Sequence, residues 1–415
     1  MKTDQSIRAL SDLEVSLNSD SLMGIRVGMC VGGGIAAIEA PKVIRELRRR
    51  GAFVRVYATE NALRFIGKDA LEWASAQSVV CAATGLAEHI ATEDMVLVLP
   101  ATTDLIGKAA QGICPDACST YIQSALGYGK QILFVPTMHD SLRESPAFKT
   151  NVATLLTFKG VEFISPRIEE GKWKSPAPES VALEVSYRFN RQNKLNQGRR
   201  HRRALVTLGG TLVRIDSARA LSNFSTGTLG AKVVESLLES GTEVIALCAL
   251  HTASLPECSG LRKIDAPLFE DFQTWLENEK NTEFLDGIFH LAAVSDFTTE
   301  TKKNAKISSQ EEHLKLSLQK LPKLIQLPSV KKIRFKLACK YTASNTQDEF
   351  AKATSLLNSL SLDSVYWNWG EGAFGVASAA SGLLLSEGAK RRIEIATKNQ
   401  AAKAMVNLFD KRDSE

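Results

Sequence analysis

One pattern constrains this chain more than any other, and the sequence runs through it twice. Short apolar segments rich in β-branched residues alternate with longer amphipathic ones, first over residues 25–164 and again from residue 204 onward. That alternation belongs to βαβ units around a parallel sheet. In the first block it predicts strands at 25–31, 53–58, 95–99, 131–135 and 161–164, with helices at 36–50, 104–111 and 119–126. In the second it predicts strands at 204–208, 243–247, 287–292, 335–338 and 364–367, and a helix over 229–240 that runs into Gly241-Thr242. The expected fold class is α/β: two Rossmann-like three-layer domains in tandem.

Composition supports folded domains and removes several function classes. The 415 residues are 44% hydrophobic and 23% charged, values of a globular chain and not of a disordered one. Runs such as MVLVLPA and QILFVPT are too short to span a bilayer, so no membrane partner is expected. An excess of 51 Lys+Arg over 46 Asp+Glu leaves +5, too mild to imply a nucleic-acid partner. Seven scattered cysteines without a CxxC pair read as reduced thiols and a cytoplasmic setting. Residues 1–23 read as a polar N-terminal extension without the apolar core of a signal peptide. Residues 24–185 then form the first domain, 186–203 a basic linker and 204–415 the second domain. The run Arg199, Arg200, His201, Arg202, Arg203 closing that linker reads as solvated charge rather than a phosphate or RNA site.

Three loops in the first block follow strands and carry ligand-binding residue types. Gly32-Gly33-Gly34-Ile35-Ala36-Ala37 lets the backbone approach a ligand and opens a helix whose N–H groups favour an anion. Pro100-Ala101-Thr102-Thr103-Asp104 ends the second loop's strand and caps a helix; Pro136-Thr137-Met138-His139 follows the next strand. At the carboxyl ends of neighbouring strands the three would converge on one crevice. The spacing of Gly32 to Ala37 is not GxGxxG, which argues against a generic NAD-dependent enzyme.

Together with Gly107-Lys108-Ala109-Ala110-Gln111-Gly112-Ile113, these motifs resemble the flavodoxin-like cysteine decarboxylases that use FMN. The match is to the decarboxylase half of the bifunctional phosphopantothenoylcysteine decarboxylase/phosphopantothenate–cysteine ligase family. The resemblance implies that Gly33, Gly34, Ile35, Ala36 and Thr102 hold FMN, that Met138 and His139 meet the substrate, and that His89 is catalytic. Two departures stand out. His139 replaces the family's carboxylate-binding Asn, and the flap stretch Glu170-Gly171-Lys172-Trp173-Lys174-Ser175-Pro176 lacks the Cys that supplies a proton in the final reduction.

The second block offers Thr207-Leu208-Gly209-Gly210-Thr211 after a strand, again with amides for a phosphate. Asp216, Arg219, Ser222, Asn223, Ser225 and Gly227 follow in the order of the family's ligase half, and His290-Leu291-Ala292-Ala293-Val294-Ser295-Asp296-Phe297 resembles its Ala-Ala-Val-x-Asp motif. The resemblance implies Asn223 and Lys306 as catalytic, and Asp216, Arg219 and Ser225 as substrate-binding. It further implies Gly209, Gly210, Thr211, Ala292 and Asp296 as nucleotide-binding, with Asp296 also a metal ligand. The implied reactants are 4′-phosphopantothenate, cysteine, CTP and Mg²⁺, in a homo-oligomer built as a trimer of the first domain and a dimer of the second. Here too there are departures: Lys320-Leu321-Pro322-Lys323 swaps two polar positions, and a Lys-x-x-Lys pair expected to grip the triphosphate is absent, with only Lys352 nearby. A chain so altered could instead serve as a flavin-binding partner subunit, or stop after oxidative decarboxylation.

Overall fold

The computed structural model describes residues 11–170, 172–250, 252–300, 305–307, 313–370 and 381–412. The chain divides into two compact units, Met1–Asn190 and Arg191–Glu415.

In the first unit, β1 (Arg26–Val31), α1 (Ala40–Arg49), β2 (Phe53–Ala58), α2 (Lys68–Ser75), β3 (Met95–Ala101), α3 (Thr103–Gln111), α4 (Ala117–Gly127), β4 (Gln131–Pro136), α5 (Asp140–Arg143), α6 (Pro146–Leu156) and β5 (Val161–Phe163) follow one another. The sheet is parallel in the order β2-β1-β3-β4-β5. Every residue of β3 is buried, because helices cover both faces, and its sequence is accordingly a continuous apolar run rather than an alternating one. One core, with Val27, Met29, Leu97 and Leu133, lies under α1; the other, with Cys30, Val96, Ile132 and Phe134, lies under α4. A hairpin of β6 (Arg167–Glu169) and β7 (Lys172–Lys174) follows, and then α7 (Pro178–Asn196).

Two expectations are revised here. Residues 11–24 are not a loose extension: Leu22 is wholly buried and its N–H donates to the Arg50 carbonyl at 2.8 Å, closing the end of α1. Residues 186–196, expected as linker, are the second half of α7, whose inner face buries Val181, Ala182 and Val185. Within the basic run beyond it, Arg202 is buried, and Arg200 and Arg203 form ion pairs while still partly exposed. Arg202 lies over the Phe409 ring at 3.3 Å and donates to the Phe409 carbonyl, Arg203 pairs with Glu243 at 2.7 Å, and Arg200 pairs with Asp286.

The second unit contains β8 (Arg203–Leu208), β9 (Leu212–Arg214), β10 (Ala220–Ser222), α8 (Thr228–Glu239), β11 (Glu243–Cys248), β12 (Leu261–Asp265), α9 (Phe269–Glu277), α10 (Glu279–Thr282), β13 (Gly287–His290), β14 (Phe297–Thr299), β15 (Leu318–Lys320), α11 (Pro328–Lys331), β16 (Phe335–Thr342), α12 (Gln347–Ser359), β17 (Ser364–Trp369), β18 (Gly382–Ser386), β19 (Arg391–Ile395) and α13 (Lys398–Lys411). Its 8-stranded sheet has the order β12-β11-β8-β13-β16-β17-β18-β19. The strands from β12 to β17 are parallel and the last two antiparallel, an edge hairpin that periodicity alone does not announce. No helix among the described residues is long and apolar enough to cross a membrane.

Candidate active sites

Each sheet has one point where strand order reverses, and there the loops leave a crevice: between β1 and β3 in the first, between β8 and β13 in the second. The loops at residues 32–37 and 100–104 lie at the first of these points, and those at residues 207–211 and 290–297 at the second.

At the first crevice the glycines are enforced by contact. A Cβ on Gly32 would lie 2.4 Å from the Pro100 carbonyl, and one on Gly33 would lie 2.4 Å from Asn61 Cβ, so the loop threads between two neighbours that cannot move apart cheaply. Gly34 is extended and heads the short turn Ile35–Glu39 without any side-chain cap, which leaves the first N–H groups for an anion. A Cβ on it would come only to 3.6 Å from Thr102 Cγ2, so the loop and Thr102 border the same space. Thr102 Oγ1 accepts from the Leu105 N–H at 3.3 Å and keeps its own hydrogen for a ligand. Ile35, 70% exposed, adds an apolar wall beside those amides. Amides for a phosphate, a hydroxyl and an apolar surface fit a phosphorylated flavin.

His139 caps α5, its Nδ1 accepting from the Ser141 N–H at 3.3 Å. That bond requires a lone pair on Nδ1 and so puts the ring hydrogen of the neutral form on Nε2, where it can be donated. The neighbouring Met138 backbone pairs with Trp173 of β7, and Arg143 places its guanidinium 5.2 Å from the Trp173 ring centre. The flap hairpin is therefore laid against the His139 loop by Trp173, a residue the sequence reading passed over; Gly171 at its turn lies outside the described residues. His89 is exposed on the separate loop leading to β3. Among the described residues no hydrogen bond links its ring to the Gly32–Gly34 or His139 segments.

The second crevice is tied more tightly. Gly209 adopts φ +86°, and a Cβ there would meet Thr252 Oγ1 at 2.6 Å; one on Gly210 would lie 2.2 Å from the Asn223 carbonyl oxygen. Gly227, at φ +65°, begins α8 without a side-chain cap, and a Cβ there would come within 3.2 Å of the Gly209 nitrogen. Two amide-bearing turns thus face one space. The loop after β13 closes it: the Ala293 N–H donates to the Gly209 carbonyl at 2.8 Å, the Ser295 N–H to Thr211 Oγ1 at 2.9 Å, and Asn223 Nδ2 to the Val294 carbonyl at 3.0 Å. Asn223 is thereby oriented with its amide oxygen unspent. These contacts join Gly209, Gly210, Thr211 and Asn223 to the loop at residues 293–295; the Ala292 N–H donates instead to Thr207 Oγ1 at 3.3 Å.

Asp216, Arg219 and Ser225 are each bonded within the protein, Asp216 most completely. The buried Asp216 carboxylate accepts from the Ala218 and Arg219 N–H groups at 2.7 and 2.8 Å, from the Ile307 N–H at 3.1 Å, and from Arg219 Nη1 at 2.7 Å. These bonds, led by that from Ala218, hold its pKa down to about 2. Arg219 Nη1 also donates to the Ile307 carbonyl at 3.2 Å, so the pair grips both polar groups of the residue after Lys306. Lys306 itself is exposed. Ser225 Oγ accepts from the Gly227 N–H at 3.3 Å, inside its own turn.

Three other residues also have partners, two of them in surface ion pairs. The Lys323 ammonium rests on the Asp296 carboxylate, and among the described residues no group of three His, Cys, Asp or Glu is placed to hold a metal. His290 bonds Thr207 Oγ1 at 3.1 Å through Nδ1; burial, and secondarily the Lys323 charge, lower its pKa to about 4. Lys352 pairs with Glu349 at 2.6 Å on an exposed helix face.

Comparison with known proteins agrees with the two-part architecture. Residues 15–188 match the flavoprotein family model, and residues 199–411 that of the DNA/pantothenate metabolism flavoprotein C-terminal domain. The coenzyme A biosynthesis bifunctional protein CoaBC of Thermococcus kodakarensis is 34% identical over 314 residues, 74% of this chain and 75% of the relative. The chain belongs to the bifunctional coenzyme A biosynthesis family. CoaBC of Bacillus subtilis is 27% identical over 89% of this chain and 93% of its own length. Among solved structures, the DNA/pantothenate metabolism flavoprotein from Streptococcus pneumoniae covers 51% of this chain and 99% of its own, at 24% identity and a TM-score of 0.42. The bifunctional family pairs a flavoprotein decarboxylase with a phosphopantothenate–cysteine ligase, and each of the two crevices falls within one of the matched domains.

Proposed function

We propose that the chain joins 4′-phosphopantothenate to cysteine at the β8/β13 crevice and decarboxylates the product at the β1/β3 crevice. The observation that carries this reading is the paired build of the two crevices: each combines glycines that admit no side chain with an uncapped helix start, in the domain order of the family.

In the ligase half, Gly209, Gly210 and the start of α8 bind nucleotide phosphates, CTP being the nucleotide. The pantothenate carboxylate attacks the α-phosphorus and pyrophosphate leaves; the cysteine amine then attacks the acyl carbon and the nucleotide monophosphate departs. Lys306, steadied through Ile307 by Asp216 and Arg219, stabilises the charge that develops on the acyl phosphate. Asn223 offers its amide oxygen to the acyl intermediate or the incoming amine. Mg²⁺ enters as the metal complex of the nucleotide, with Asp296, exposed beside Lys323, as the carboxylate that would meet it.

In the decarboxylase half, Gly33, Gly34, Ile35, Ala36 and Thr102 hold FMN, which supplies the two-electron oxidation of the substrate thiol and the return of those electrons. His139 donates from Nε2 to the substrate carboxylate in place of an Asn, with Met138 beside it. His89, exposed on its own loop, accepts the thiol proton, and its outward placement suits a homo-oligomer in which it completes a neighbour's site. A trimer of first domains and a dimer of second domains, in the cytoplasm, is the matching assembly.

A second reading is favoured by one observation. No cysteine lies between Cys118 and Cys248, and His139 cannot act as an acid without giving up its cap, since protonated Nδ1 no longer accepts. The decarboxylase half would then release the oxidised, decarboxylated thiol, leaving dioxygen to take the electrons from the flavin. Product analysis separates the two: 4′-phosphopantetheine supports the full reaction, and a product lighter by two hydrogens supports the oxidative one. A yellow protein releasing neither pyrophosphate nor CO₂ would point to a partner subunit.

A further inference from the structure

Behind the His89 loop lies a buried polar chain for which neither crevice accounts. Tyr57, near the end of β2, is wholly buried and donates its hydroxyl to the Glu88 carbonyl oxygen at 3.2 Å, one residue before His89. Its ring stacks on Tyr121 of α4, with centroids 3.9 Å apart and planes 17° apart. Tyr121 in turn donates to the buried Glu93 carboxylate at 2.7 Å, and Glu93 faces Arg55 at 3.5 Å. Burial pushes both phenols well above the ordinary tyrosine range, so both remain donors. The sequence makes room for this arrangement at a cost in β1: a Cβ on Gly28 would lie 1.9 Å from the Tyr121 hydroxyl oxygen. From the other side the Ala91 N–H donates to Ser124 Oγ of α4 at 3.1 Å, and the Thr84 N–H to the Glu88 carboxylate at 3.2 Å. Within the loop Ala87 holds φ +63°, a conformation a non-glycine residue keeps only when its surroundings fix it.

We propose that Tyr57 is the positioning residue of His89, fixing through the Glu88 carbonyl a loop that would otherwise move relative to the domain. The inference rests on the reading of His89 as catalytic. Tyr57 touches neither flavin nor substrate; it acts through the backbone it holds. Tyr121 and Glu93 keep the Tyr57 ring in place, and Gly28 admits them.

The test uses the flavin-loaded full chain, with Tyr57→Phe to delete the hydroxyl and keep the stacked ring, and His89→Asn to delete the imidazole. Amide hydrogen exchange over residues 84–92 should rise about tenfold in Tyr57→Phe, with the strands of the sheet unchanged and flavin still bound. Bleaching of the flavin on anaerobic mixing with saturating phosphopantothenoylcysteine should slow about tenfold, with little change in the substrate concentration for half-saturation. Unchanged exchange and bleaching in Tyr57→Phe, while His89→Asn stops bleaching, would overturn the positioning role and leave His89 standing. Exchange rising across the whole domain, or loss of flavin, would also overturn it by showing a merely structural tyrosine. Bleaching that is absent in the wild type, or that survives in His89→Asn, would remove the His89 reading on which the proposal rests.

Discussion

The two crevices share a plan and differ in what their polar residues are free to do. At the β1/β3 crevice, Thr102 keeps a hydrogen to donate and the His139 ring keeps Nε2–H, while the buried chemistry lies elsewhere, under the His89 loop. At the β8/β13 crevice the charged side chains of the motif are bonded to one another or to the backbone: Asp216 by three N–H groups and Arg219, and Asp296 by Lys323, while Ser225 holds its own turn and keeps a hydroxyl hydrogen. A motif residue can therefore be indispensable in two ways, by meeting the ligand or by holding what does. Residue type alone does not distinguish them.

The largest expected break of that contrast is Gly210→Val. Its side chain would displace the Asn223 backbone, and pyrophosphate release should fall by about 100-fold or more with flavin content untouched. Equal loss of flavin would mean that the substitution had unfolded more than its own crevice.

Asp216→Ala should come next, lowering pyrophosphate release by about 10- to 100-fold through the freed Lys306 segment, with the Michaelis constant for nucleotide moving less than the turnover. Its carboxylate also gives a pH signature. The folded pKa of about 2 lies below the unfolded value of about 4, so the stabilisation is complete above pH 4 and is lost as pH falls toward 2. Acid titration of folding should lose that component in Asp216→Asn.

The first crevice offers a sharper pair. Gly33→Ala collides with Asn61 and should weaken flavin retention about tenfold, while Gly34→Ala meets nothing closer than 3.6 Å and should stay within about twofold, as measured by flavin released on dialysis.

His290 predicts a window rather than a loss. Its folded pKa of about 4 is below the ordinary 6.5, so between those values the unfolded chain takes the proton more readily. Stability is intact above pH 6.5 and declines as pH falls toward 4; His290→Asn should flatten that decline in thermal melts. The smallest effect belongs to Lys352→Ala. Its ammonium is exposed and pairs with Glu349 one turn away, and the Michaelis constant for CTP should change less than about twofold.

Much of the fold could be read from the sequence because buried parallel strands are written as uninterrupted apolar runs. The seven-residue run of β3 and the run over residues 132–136 of β4 show this directly. The edge hairpin of β18 and β19 escaped notice because β19 is mostly exposed and its Arg391-Arg392 start reads as solvent-facing charge. Residues 186–196 read as linker because, beyond the buried Tyr187 and the core-packed Phe189, the end of α7 is polar but for Leu195. At the sites, glycines and strand-end loops were legible since backbone approach demands them. Tyr57, Trp173 and Lys323 were not, because a buried hydroxyl, a flap contact and an ion pair across 27 residues leave no periodic trace.

The account stands most directly on one reaction followed by two products. Purified chain with 4′-phosphopantothenate, cysteine, CTP and Mg²⁺ should be yellow and should release pyrophosphate and CO₂. Asn223→Ala should abolish the pyrophosphate while the protein stays yellow. In His89→Asn pyrophosphate release should be unchanged and CO₂ release abolished. A yellow wild-type protein that releases neither product would contradict the claim that both crevices are working sites.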